Sequence, residues 1–257
     1  MIIKVLGCYG GELPGYNVSG YLLDDKILID AGTIGTKIDI KAQRKIRNVL
    51  ISHPHLDHIG SLPFFGVNIV SNKSESIKII GTDFTIDTIN KNLMNGSIWP
   101  DFTKIKNAAG NYIFQYVKIS HNKWYEFDGY KVIAVKVNHS IPADGFIIGK
   151  NNSYFIYSGD TKQTDEIWKE GVKLGKKLKT VIVEVAFPDE LRQLAENSCH
   201  LVPETLIGEL QKLGNLIPKI FVIHMKPEYL GLIKKQLGKI KKYKINLMQE
   251  GEIYKIT

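Results

Sequence analysis

Four side chains able to bind a metal crowd into six residues of this sequence: His53, His55, Asp57 and His58, within Ile51-Ser52-His53-Pro54-His55-Leu56-Asp57-His58-Ile59-Gly60. His53 and His55 are two apart, which in extended backbone turns both imidazoles to the same side. Asp57 and His58 follow where the chain can bend into a helix, returning a carboxylate and a third imidazole to the same point. Borderline-soft divalent cations favour this mixture of donors. Four donors in so short a run exceed what one tetrahedral site with an open position uses, so the pattern predicts two metals.

Further donors stand at the ends of other apolar runs. His139 closes Val132–Asn138, His224 closes Ile220–Ile223, and Asp160 follows Tyr154–Tyr157 in Tyr157-Ser158-Gly159-Asp160-Thr161. His200 lies in Asn197-Ser198-Cys199-His200-Leu201. Active sites of layered α/β folds gather at strand ends, so one rim can collect all of these groups. His121 lacks such a context and reads as a surface residue.

The elements that must position these groups begin as a meander of short strands, with Ile2–Leu6, Tyr21–Leu23 and Lys26–Ile29 separated by Gly10-Gly11 and Asp24-Asp25 turn signals. Strands are expected again at Val49–Ile51, Ile77–Ile80, Tyr112–Ile119, Lys131–Val137, Tyr154–Tyr157, Val181–Val185, Ile220–Ile223 and Ile253–Ile256. Helices are expected around 165–176, 188–197, 203–213 and 227–240. A meander giving way to alternating strands and helices predicts a layered α/β fold, here one domain over residues 1–257.

Composition narrows the class. The 257 residues carry a formal charge of +8, and Lys234, Lys235, Lys239, Lys241, Lys242 and Lys244 cluster near the C-terminal end. Leu230, Ile233, Leu237 and Ile240 recur there at helical spacing, which places the lysines on a solvated face and suits attraction of an anionic substrate or nucleic acid. Cys8 and Cys199 are too few for a disulfide framework and read as a buried, reduced pair. The sequence shows no secretory signal, and no apolar run approaches the ~18 residues of a membrane span, so the expected location is cytoplasmic.

Together the metal-binding residues resemble the metallo-β-lactamase superfamily. His53-x-His55-x-Asp57-His58 matches its defining motif, His139, Asp160 and His224 follow in the order of its later ligands, and Ile29-Asp30-Ala31-Gly32 resembles the strand end before the motif. The resemblance implies an αββα sandwich, two mixed β-sheets with helices on the outer faces. A narrower likeness is to class II cyclic nucleotide phosphodiesterases. It is carried by Gly10-Gly11 with Asn17-Val18-Ser19-Gly20-Tyr21-Leu22, by Asn95-Gly96-Ser97-Ile98-Trp99-Pro100-Asp101-Phe102, and by Glu184-Val185-Ala186-Phe187-Pro188 followed by Ser198-Cys199-His200-Leu201. Cys199 stands where relatives often carry glycine.

That likeness implies one metal on His53, His55 and His139, a second on Asp57, His58 and His224, and Asp160 bridging them. Zinc is the first expectation, with manganese or iron as substitutes. The implied reaction is hydrolysis of 3′,5′-cyclic AMP or GMP to the 5′-nucleotide by a hydroxide held between the metals. Asp57, His200 and Glu184 are the catalytic groups: His200 protonates the leaving oxygen and Glu184 orients it, an arrangement that also resembles ribonuclease Z. Asn95, Trp99 and Phe102 are expected to meet the base, and Asp30 to receive the free N–H of a ligating imidazole. Relatives commonly pair as homodimers. The alternatives are an RNA 3′-processing endonuclease of the same fold, another hydrolase of that fold, or a non-catalytic nucleic-acid-binding protein.

Overall fold

The computed structural model describes residues 1–71 and 75–256. The first sheet contains β1 (Ile2–Gly7), β2 (Gly20–Leu23), β3 (Ile27–Ala31), β4 (Asn48–Leu50), β5 (Ile77–Gly81) and β6 (Phe114–Lys118). The second contains β7 (Trp124–Phe127), β8 (Tyr130–Val137), β9 (Ala143–Lys150), β10 (Ser153–Tyr157), β11 (Leu178–Glu184), β12 (Lys219–Ile223) and β13 (Ile245–Leu247). Finally β14 (Ile253–Lys255) returns to the first sheet, antiparallel to β1. Both sheets are mixed: β1 to β3 are antiparallel and β3 to β6 parallel, while β7 to β10 are antiparallel and β10 to β13 parallel.

Strand periodicity accounts for the layers. On β3, Ile27 and Ile29 enter the core between the sheets while Leu28 packs on the opposite face. On β10, Phe155 and Tyr157 point to that central core and Ile156 to the far side. Strands apolar on both faces must be covered on both. Over the first sheet lie α1 (Ile40–Gln43), α2 (Leu56–Ile59), α3 (Leu62–Ile69) and α4 (Asp83–Asn92). The second carries α5 (Glu166–Lys173), α6 (Arg192–Ser198), α7 (Pro203–Gln211) and α8 (Leu230–Leu237). The expected αββα sandwich is the architecture found.

Three strands escaped the sequence pattern: β7, β9 and β13. In β9, Gly145 and Gly149 interrupt the apolar alternation, and packing explains them. A Cβ on Gly149 would lie 2.1 Å from the Tyr154 ring, its partner across the β9–β10 pair. The last expected helix is also shorter, ending at Leu237, so only Lys234 and Lys235 of the lysine cluster are helical. Among the described residues no helix is long and apolar enough to cross a membrane.

Candidate metal centre

The centre is organised around one buried carboxylate. Asp30, near the end of β3, is fully buried and accepts from the Ser52 backbone N–H (2.8 Å), the Ser52 hydroxyl (2.8 Å) and the Tyr157 hydroxyl (2.5 Å). Its fourth contact is His58 Nδ1 at 2.7 Å. These bonds compensate its desolvation and tie β3, β4, β10 and α2 together. They also leave Nε2 of His58 as the atom free to coordinate, which is how carboxylates orient metal-binding imidazoles. Gly32 is required where β3 runs beneath α2, because a Cβ there would meet the Asp57 carbonyl at 1.9 Å.

Donor atoms of His53, His55 and His139 form one group, all within 4.8 Å of one another, and those of Asp57, His58, Asp160 and His224 form another. In the first, His55 Nδ1 is 3.0 Å from His53 Nε2 and 3.2 Å from His139 Nε2. Nitrogens about 2.0–2.1 Å from one tetrahedral zinc would stand roughly 3.3 Å apart. In the second, Asp160 Oδ2 lies 3.2 Å from Nε2 of both His58 and His224, and 3.8 Å from His53 Nε2, so it faces both groups. Asp57 Oδ2 is 3.6 Å from His58 Nε2 and 3.9 Å from His224 Nε2.

These residues fit divalent cations. Nε2 of His58 is buried and makes no hydrogen bond despite its closeness to Asp160. Burial pushes His139 down to about 4 and His224 to about 3, and it lowers His55; His53 is driven well below its ordinary value by burial and then by the neighbouring His58. Their lone pairs are therefore available at neutral pH. Burial opposes ionisation of Asp160, but the His224 and His58 imidazoles outweigh it and hold the carboxyl well below its usual range. His58 moves the other way: burial disfavours its charge, yet Asp160 and Asp30 on either side raise it well above the ordinary value, giving a proton that a cation would displace.

A second pair stands on the same rim. Glu184, fully buried at the end of β11, accepts from the Thr161 backbone N–H at 2.9 Å and contacts His200 Nδ1 at 2.8 Å. Burial acts to lower the His200 pKa, but the Glu184 charge and hydrogen bond prevail and raise it. The His200 ring stacks on His224 with centroids 5.2 Å apart and lies 5.2 Å from the His139 ring. Cys199 caps α6 in the left-handed conformation (φ 60°), and its carbonyl accepts from His139 Nδ1 at 3.2 Å. One helix end thus places His200 and orients His139.

The three residues expected to meet a base are engaged in contacts of their own. Phe102 is corrected outright: its ring is 3% exposed, in the core beneath the first sheet against Phe114 and over Gly66, and offers no stacking face. Asn95 closes its own loop, accepting from the Ser97 and Ile98 N–H groups and donating to the Lys91 carbonyl. Trp99 is half-buried, donates to the Pro63 carbonyl and packs edge-on to Phe64. Among the described residues no hydrogen bond or ring contact joins these three to the histidines. His121 is exposed as expected, with Nε2 on the buried Asp144 carboxylate at 2.5 Å. The cysteines are free but unlike: Cys8 is buried, which pushes its thiol up to about 12, whereas Cys199 is partly exposed. Sequence reasoning missed Ser52, Tyr157 and Lys226, ordinary residues whose roles arise only from tertiary neighbours.

Known proteins place this arrangement. The "Probable 3′,5′-cyclic-nucleotide phosphodiesterase" of Yersinia pestis is 27% identical over 236 residues, which cover 81% of this chain and 64% of that protein. The 3′,5′-cyclic-nucleotide phosphodiesterase of Aliivibrio fischeri is 28% identical over 243 residues, covering 83% of this chain and 71% of the relative. The chain thus spans about two thirds of the length of these relatives. The crystal structure of unliganded yeast PDE1 superposes with a TM-score of 0.83 at 21% identity, covering 98% of each chain, and so shares the fold. The model of the class-II cAMP phosphodiesterases matches residues 34–232, a stretch that holds both donor groups and the Glu184–His200 pair, and the chain belongs to that family.

Proposed function

We propose that this chain hydrolyses 3′,5′-cyclic nucleotides to 5′-nucleotides at a two-metal centre, with zinc as the preferred cation. The observation that carries this reading is the meeting of two imidazole-rich donor groups at Asp160, with the Glu184–His200 pair on the same rim. His53, His55 and His139 would hold one cation and Asp57, His58 and His224 the other, with Asp160 placed to serve both. Imidazole and carboxylate donors suit zinc, and manganese or iron also take such donors. Bound there, the cations supply Lewis acidity, which makes water nucleophilic near neutral pH and neutralises phosphate charge.

The chain's own groups complete the reaction. Asp30 fixes the His58 ring, and Asp160, ionised despite burial, keeps its oxygens available to both cations. The departing 3′ oxygen needs a proton. His200 supplies it from Nε2, because Nδ1 is committed to Glu184, which also favours the protonated ring. Chromatography of reactions with cyclic AMP and cyclic GMP tests the assignment: 5′-nucleotides should accumulate, and a chelator should stop them. Intact cyclic nucleotides in protein carrying two metals would overturn it and make RNA 3′ ends the next substrate.

A further inference from the structure

Lys226 follows His224 by two residues and belongs to no step described so far. Its Nζ donates to the Gly10 carbonyl and lies 5.8 Å from the centre of the Phe187 ring. Phe187 in turn packs edge-on to His200, with centroids 6.0 Å apart. Gly10 is pressed against the centre, since a Cβ on it would stand 2.9 Å from His224 Nε2. The ammonium is therefore fixed on a carbonyl at the edge of the donor cluster. Its charge is felt at His200, where it opposes the effect of Glu184.

Lys226 is half-buried, and among the described residues no carboxylate pairs with it. A cation in this position, beside a centre suited to two dications, raises the energy of the free protein. An anionic ligand between them removes that cost. The Gly10 bond uses one of three ammonium N–H groups and leaves two to donate. We propose that Lys226 binds the phosphate of the substrate, from the side of the centre formed by Gly10, Phe187 and His200. The inference rests on the phosphodiesterase reading and adds a protein cation to the phosphate site.

The competing role is to pin the loop that carries Gly10, and glutamine separates the two because it can still donate to that carbonyl without a charge. Calorimetry with inorganic phosphate on metal-loaded protein should show affinity about tenfold weaker in both Lys226→Gln and Lys226→Met, the loss of one charged hydrogen bond. Lys226→Arg should recover most of it, with metal content and melting temperature close to wild type in the glutamine and arginine variants. Wild-type phosphate affinity in Lys226→Gln would overturn the proposal, as would an arginine variant no better than glutamine. The binding readout is independent of turnover. Phosphate held through Lys226 by a protein that leaves cyclic AMP intact would overturn the substrate assignment alone.

Discussion

At the residue scale, the centre is held by backbone that side chains rarely adopt: Asp30 (φ 54°), Cys199 (60°) and His224 (62°) are all left-handed. Such strain concentrates where geometry is dictated by function. At Cys199 it is separable from chemistry, because the part that reaches His139 is the backbone carbonyl. Glycine there should relieve roughly 1–2 kcal/mol of left-handed strain and return roughly 0.5–1 kcal/mol as unfolded-state entropy. Cys199→Gly should therefore stabilise the protein by about 0.5–1 kcal/mol in a denaturant melt, and a loss of stability would contradict the account. His200→Ala addresses the chemistry. With metal content unchanged, kcat should fall by about 100-fold or more, the range of a lost general acid. A fall of only a few-fold would end its role as proton donor. The donor residues that cluster were legible because histidines two apart at a strand end have few other uses. Asp30 was legible only as a partner for one imidazole. Its bonds to Ser52 and Tyr157 depend on contacts between strands far apart in sequence.

At the scale of elements, most strands that alternate or run apolar were legible, whereas β9, interrupted by Gly145 and Gly149, and the short β7 and β13 were not. Helix α3 was equally silent, since its sequence LPFFGVNI is apolar on both faces. Leu62, Phe65 and Ile69 are buried while Phe64 and Val67 are exposed, so no polar stripe marks the helix. The same helix explains the misplacement of Phe102. Gly66 leaves a hollow that its ring fills, and a Cβ there would come within 2.1 Å of Phe102 Cε2. An aromatic in a family motif looked like a ligand-binding residue, but its place is decided by a glycine on another element. Gly66→Ala should destabilise by about 1–3 kcal/mol through overpacking. Thermal unfolding checks this, and an unchanged melting temperature would show that the ring is loosely held.

At the scale of the molecule, two sheets of matching plan bring their strand ends to one rim. His53 comes from the end of β4 in the first sheet, and His139, Asp160 and His224 from the ends of β8, β10 and β12 in the second. The sandwich and the convergence were foreseeable, since His53, His139, Asp160 and His224 stood at or just beyond strand ends and Asp57 and His58 on the short helix that follows one of them. The grouping of donors was foreseeable only through resemblance, because spacing along the chain does not say which strands face each other. The charge of +8 suits an anionic substrate but identifies none. The central claim is that two cations act together on a cyclic phosphodiester. Metal-free protein titrated with zinc while cyclic AMP hydrolysis is followed tests it most directly. Activity should rise until two equivalents are bound, and Asp160→Ala should stay near the blank throughout. Full activity at one equivalent, or none with two bound, would contradict the account.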